Sequence, residues 1–578
     1  MTACSHKDKD APLAFVPADA PYVLANLDVP DDATRAALLA QADTQWSSQL
    51  MQLNAAADRI EIENPDAARL LHAVTAESNG KTLEQYFQNA GLNISGHFAL
   101  YGVGLAPVAR LELSDTKAFE RFIGRIELAY GKPLDTVKVG TQSYQKYTLT
   151  GSGTEIVLAV IGKYAVVALL PAQPTPTLLR QALGLDRPAK NMQDSDRLTN
   201  LVKTKGYQKW FVGSLDLTRV LPLAISNSDP LISAIRTARA AAESARTGEP
   251  IANQLQTSPT CNTDASRIAA RVPSISFGYT RLDSKHQEMR LDVALADDIS
   301  KAFSGLKVAL PGLGNVGTAP LDVSIALPVA QLRAFWSAQA VAVAAKPFTC
   351  PMLTDLNDSF AKLSPFMQKA AIPPFGDLLG VRVALDSLVA SPNSSVPAFT
   401  SRLVLGSNDP EVLLGAGQMM VPALRQSKPT KDGKPVALSA AMIRLLGQPA
   451  WMAMSSKALA LGIGAGEDAK LSAMLKDDIG GAGRLARIHL TGAMYLSWLQ
   501  LLEQKADSFA ATAAAISKSD SPSSDDDDDN ATEIAANAER SKAQFAAMQA
   551  QAKRIESTDA EMHINNSGMV ITSQTLLK

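Results

Sequence analysis

The sequence is poor in the residues that most often carry chemistry. Its 578 residues include three cysteines and six histidines, and aromatics make up 5% of it. Three cysteines cannot build a disulfide-dense scaffold, and none has a histidine or second cysteine at ligand spacing, so no metal site is expected. His6, His72, His97, His286, His489 and His563 form no i, i+4 pair. Neither charge dominates: 55 Lys and Arg face 57 Asp and Glu, a net charge of −2. Binding to nucleic acid needs many cations to neutralise phosphates, so no nucleic-acid partner is expected. No apolar run approaches the ~20 residues that a membrane-spanning helix requires. No Gly-x-Ser-x-Gly elbow followed by Asp and His is present, which leaves a serine hydrolase without a nucleophile.

What the chain does contain is a repeated plan. Residues 156–170 read as two apolar strands folded back at Gly162-Lys163, with a helical run at 175–183. Residues 450–464 and 467–475 repeat that order. Around the first copy, helices are predicted at 33–59 and 65–88, and strands at 96–101 and 106–113. Asp115 caps a helix over 116–130 by accepting its free N–H groups. Asp409 opens a matching helix over 409–424 in the second copy. A chain of this length exceeds one core. The expected fold is α+β, with two tandem similar domains at 13–310 and 318–578. Each is a mainly antiparallel sheet packed with helices, and residues 1–12 form a polar tether.

The second half carries an addition. Tyr495, Leu502, Phe509 and Ile516 recur every seven residues, and Ile534, Ala538, Phe545, Met548, Ala552 and Ile555 keep a spacing of threes and fours. Together they predict a long antiparallel helical hairpin. Its tip is the acidic loop 520–530. Five successive Asp residues there lack the spaced ligands and pivot glycine of a calcium loop, so a solvated tip is expected.

Two glycine clusters resemble phosphate loops by their letters. Gly312-Leu-Gly-Asn-Val-Gly317 matches the dinucleotide fingerprint, but that fingerprint works only where a helix opens. Thr318-Ala-Pro320 and a strand follow instead, which points to a junction between halves. Gly462-Ile-Gly-Ala-Gly466 does stand between strand and helix. Its counterpart at 168–171 has no glycine, which favours a structural turn. Glu61 with Glu63, and Asp477 with Asp478, read as solvated faces. No catalytic residue, cofactor or metal site is assigned.

Met1-Thr2-Ala3-Cys4-Ser5 resembles the end of a bacterial lipoprotein signal peptide, in which a small residue precedes a cysteine that takes lipid. The charged and apolar segments of such a signal are not in the sequence, so this reading implies that the chain starts upstream. Ser5 resembles the residue found after the cysteine in lipoproteins sent to the outer membrane. With Cys4 lipidated, Cys261 and Cys350 remain as a pair in turn-rich segments. In an oxidising periplasm they are expected to bridge; otherwise they are two buried thiols.

The order of the strand and helix at 111–119, the strand at Tyr144, the hairpin at 156–170 and the strand at Trp210 resembles an uncharacterised family of bacterial envelope proteins. Its members carry an export signal and a domain of unknown function. The resemblance implies an extracytoplasmic location and supplies no catalytic residues. The expected function is that of a non-enzymatic outer-membrane lipoprotein facing the periplasm. It would be held to the membrane by its lipid and act as a binding or scaffold component for an envelope protein partner. The alternatives are a periplasmic carrier or chaperone of apolar ligands and, behind it, an envelope hydrolase.

Overall fold

A computed structural model of the protein describes residues 8–61, 64–248, 258–314, 317–370, 372–389, 397–519, 541–542 and 544–578. The chain is α+β and divides into two compact units. The first comprises Met1–Ser284, Met289–Ala296 and Phe348–Thr354; the second comprises Lys285–Glu288, Asp297–Pro347 and Asp355–Lys578. The division differs from the expected boundary at 310–318. Residues from Asp297 onward belong to the second unit, and Phe348–Thr354 returns to the first.

The first unit contains strands β1 (Tyr22–Ala25), β2 (Phe98–Val103), β3 (Ala106–Glu112), β4 (Asp135–Val139), β5 (Gln142–Leu149), β6 (Thr154–Ile161), β7 (Tyr164–Pro171), β8 (Val212–Asp216), β9 (Ser274–Leu282) and, from Met289 on, β10 (His286–Ala294). Antiparallel pairing sets the order β4-β5-β6-β7-β3-β2-β1-β8-β9. The β6–β7 hairpin turns where the sequence placed it. Gly162, at φ +61°, lets Ile161 face Tyr164 across a tight turn. Strand alternation sends Val157 and Ala159 to the core with Val166, Ala168 and Leu170.

Asp115 caps the helix Thr116–Tyr130 by accepting the N–H groups of Lys117 and Ala118. That helix buries Phe119, Phe122, Ile126 and Tyr130, one helical face at steps of three and four. The expected helix at 65–88 is in fact two, Pro65–Ala76 and Leu83–Asn89. Gly80 takes φ +71°, and Thr82 with Gln85 forms a capping box that opens the second helix. The edge strand β4 was not foreseen; Val137 and Val139 alternate toward the core, but the strand has five residues and the other three are exposed.

The second unit contains β11 (Leu321–Ala326), β12 (Leu378–Val389), β13 (Ala398–Ser407), β14 (Val436–Ala437), β15 (Ala450–Met454), β16 (Ala458–Ile463), β17 (Arg484–Thr491), β18 (Ile555–Asn565) and β19 (Gly568–Leu577). Their antiparallel order is β14-β15-β16-β13-β12-β11-β17-β18-β19. Asp409 caps the helix Pro410–Met420, as expected. The helix Gly492–Ser519 packs against β12, β17 and β18, and Gln549 donates to Glu503 on it at 2.6 Å. The acidic loop 520–530, Ile534 and Ala538 lie outside the described residues.

β11 alternates strictly. Asp322, Ser324 and Ala326 are buried on one face, while Val323 and Ile325 on the other are half-buried and exposed. This alternation positions both features of the second unit described below.

Candidate functional site

The buried face of β11 carries charge. Arg382 on β12 donates to Asp322 through Nε at 2.9 Å and Nη2 at 2.7 Å, a bidentate pair with both side chains almost wholly buried. Arg382 Nη1 also meets Asp477 at 2.6 Å. Arg487 on β17, equally buried, lies 3.4 Å from Asp322 and donates through Nε to the carbonyl of Gly312. Two guanidiniums therefore share two carboxylates. The sequence reads Asp477 as part of a solvated face; its side chain is 37% exposed, but it also neutralises a buried arginine that is distant in sequence.

The same cluster explains the first glycine motif. A Cβ on Gly312, whose φ is +87°, would stand 2.1 Å from Arg382 Nη1, and one on Gly317 would stand 1.5 Å from Asp322 Oδ2. The N–H groups of Gly312 and Gly314 both bond the carbonyl of Asp478. These glycines let backbone lie against a buried ion cluster, with no helix N-terminus for a pyrophosphate.

The second motif is a turn of the same kind. Gly464 takes φ +110°, and its absent Cβ leaves room for Thr400. Glu467, at the start of the helix Asp468–Met474, is buried and paired with Arg402 at 3.3 Å and Lys470 at 2.9 Å. Asp386 completes the network, 2.9 Å from Arg402 and 2.6 Å from Lys470. The Glu467 carboxylate is taken up by these cations and caps none of the helix N–H groups.

The first unit holds a different buried cation. Arg110 on β3 is 0% exposed; its Nη2 donates to the carbonyl of Leu183 at 2.7 Å, and the Phe15 ring lies 3.8 Å from its guanidinium. Its Nε and Nη1 have no hydrogen-bond partner, nor do the buried hydroxyls of Tyr101 and Tyr164 beside it. Burial lowers the pKa of Arg110 and raises those of both tyrosines, with the charge of Arg110 opposing the rise in Tyr101. A weak contact between the Arg110 guanidinium and the Tyr101 hydroxyl also opposes that rise, although it falls short of full hydrogen-bond distance and angle. No pattern in the sequence marks Arg110, because a lone Arg in a strand reads as surface.

Cys261 and Cys350 form a disulfide, both wholly buried in the first unit. Cys261 lies in the first turn of the helix Thr260–Ala269, not in a loop as its turn-rich surroundings implied. Asp264, one turn on, accepts the N–H groups of Thr349 and Cys350 at 2.7 and 2.9 Å. Arg267 sits over the Phe348 ring at 4.0 Å. The bridge, the carboxylate and the cation–π contact together hold Phe348–Thr354 on the first unit. Cys4 lies outside the described residues, as does His6.

Two surfaces stand out. In the first unit, a groove of ≈ 940 Å³ is lined by Phe15, Asp19, Gly102, Lys190, Arg219 and Leu223, among others. In the second unit, the face of the sheet opposite the arginines is apolar and partly open. Val323 pairs with Val383 and Ile488. Ile325, Val383 and Ile488 are all exposed, as are Trp498 and Leu502, four residues apart on the helix Gly492–Ser519.

His489 Nδ1 lies 2.8 Å from Asp559, a satisfied polar pair on neighbouring strands. Among the described residues, no group of three or more His, Cys, Asp or Glu could hold a metal ion, and no helix is long and apolar enough to cross a membrane. No protein family, no curated protein and no solved structure matches the chain.

Proposed function

We propose that the protein is a non-enzymatic binding or scaffold component of a bacterial cell envelope. In this reading a lipid on Cys4 holds it to the outer membrane, facing the periplasm. The observation that carries the binding role is the apolar seam of Ile325, Val383 and Ile488 on the second unit; Trp498 and Leu502 are exposed on the helix Gly492–Ser519, which packs against β12 and β17. Exposed apolar surface of this kind marks interaction sites, and an exposed aromatic suits an interface anchor. The bridge between Cys261 and Cys350 supports an oxidising compartment.

The chain is also inferred to be a tandem duplication. The order β6-β7-β3-β2-β1-β8-β9 and the order β15-β16-β13-β12-β11-β17-β18 match strand for strand, and Asp115 and Asp409 cap equivalent helices. The long antiparallel helical hairpin of the second domain has support in the bond between Gln549 and Glu503.

A second reading, a carrier of lipids or other apolar ligands, draws on the same seam, since an acyl chain could lie along it. Photo-crosslinking residues placed at Val383 and Ile488 in cells separate the two. A protein adduct supports the scaffold, a lipid adduct supports the carrier, and no adduct at either position removes both. Mass spectrometry of the protein from native membranes tests the anchor; an unmodified Cys4 overturns it.

A further inference from the structure

Three of the four most buried arginines face carboxylates: Arg382 and Arg487 meet Asp322, and Arg402 meets Asp386 and Glu467. Arg110 is as deeply buried, and among the described residues no carboxylate forms an ion pair with it. An arginine does not lose its proton inside a protein. A buried charge without a counter-charge is among the costliest arrangements a fold can hold.

The one carboxylate on the same face of β3, Glu112, is already bound by Lys163 and the His97 N–H, and among the described residues none pairs with Arg110. Tyr101 pairs with Val108, two residues before Arg110, and Tyr164 pairs with Glu112, two residues after it. Strand alternation therefore puts both tyrosines on the face of Arg110, one on each side. Four donors remain unused: Nε and Nη1 of Arg110 and the two phenol hydroxyls. The enclosure is tight. Phe15 covers the guanidinium, and a Cβ on Gly184 would stand 2.0 Å from Nη2. Arg187 lies over the Phe15 ring at 4.6 Å, and its own charge is paired with Asp10 at 2.6 Å.

We propose that Arg110, Tyr101 and Tyr164 form a buried site for a monatomic anion of the halide class, with chloride the physiological occupant. The anion neutralises the guanidinium and accepts from the tyrosines. An enclosed site of this kind excludes phosphate and organic carboxylates by size. Because Phe15 lies over Arg110, occupancy also steadies the N-terminal segment that carries Phe15.

The test uses the whole protein. Its melting temperature is followed as sodium chloride replaces sodium gluconate at constant ionic strength, and crystals soaked in bromide are examined for anomalous scattering. A halide that binds only the folded state raises the melting temperature with concentration. The expected result is a rise of several degrees, a bromide peak against Arg110 Nε or Nη1, and loss of both in Arg110→Met. If that variant does not fold, the double variant Tyr101→Phe, Tyr164→Phe keeps the packing and should need at least tenfold more chloride for the same rise. The absence of a peak overturns the proposal. So does a chloride effect that survives in Arg110→Met, or one that is undiminished in the double variant. A bromide peak without any chloride-dependent melting identifies an adventitious ion only and overturns it too.

Discussion

Arg382 and Asp322 stand on neighbouring strands, register-shifted by two residues, and meet through two parallel hydrogen bonds of 2.9 and 2.7 Å away from solvent. Asp322 also faces Arg487. Removing this one carboxylate leaves Arg487 without its ion-pair partner and Arg382 with Asp477 alone. Asp322→Ala should destabilise the protein by roughly 3–5 kcal/mol, the usual cost of breaking a buried pair, read from urea unfolding of the second unit. A loss below about 1 kcal/mol would mean that water already screens the pair.

Gly312→Ala tests the same cluster from the backbone side. A left-handed φ of +87° strains any L side chain, and the new methyl would stand 2.1 Å from Arg382 Nη1. The expected loss is at least ~2 kcal/mol, of which ~1 is backbone strain. The same change at Gly481, where nothing lies within 4 Å and φ is not positive, should be nearly neutral.

Reduction of the bridge between Cys261 and Cys350 should free Phe348–Thr354. The cysteines are 89 residues apart, a loop for which the chain-entropy model gives about 4–5 kcal/mol. Hydrogen exchange should show faster exchange of the Thr349 and Cys350 amides after reduction, with β6 and β7 unchanged. Asp264→Asn should speed those two amides while leaving the bridge intact, because Asp264 is their acceptor.

Asp292 predicts an acid limb in the stability curve. Burial pushes its carboxyl up, but bonds from Arg290, Tyr207 and Lys205 outweigh that and hold it below the ordinary carboxylate value. A depressed folded pKa means stability that is fully present above the unfolded value of about 4 and is lost as pH falls through the folded one. Melting temperature should therefore drop below pH 4, and Asp292→Asn should flatten that drop while lowering stability at neutral pH. An unchanged acid limb in the variant would assign the loss to other carboxylates.

Local signals were legible because their physics is local. The turn at Gly162, the caps at Asp115 and Asp409 and the strand pair 450–464 each rest on residues within a few positions of one another. The missed features have no such neighbourhood. The break between the helices Pro65–Ala76 and Leu83–Asn89 carried a signal, Gly80 with a Thr82–Gln85 box, that an apolar period running past it concealed. The edge strand β4 turns only Val137 and Val139 inward over its five residues, too short an alternation to stand out.

Alternation and capping residues alone determine that this chain forms antiparallel strand pairs with helices between them, since each depends on side chains adjacent along the backbone. The partnership of Arg382 with Asp322 and Asp477, the placing of Gly312 against that pair, and the lack among the described residues of a carboxylate paired with Arg110 depend on segments tens to hundreds of residues apart being brought side by side. The sequence holds the residues, but their charges are matched or left unmatched only by strand register, and register is a property of the folded sheet.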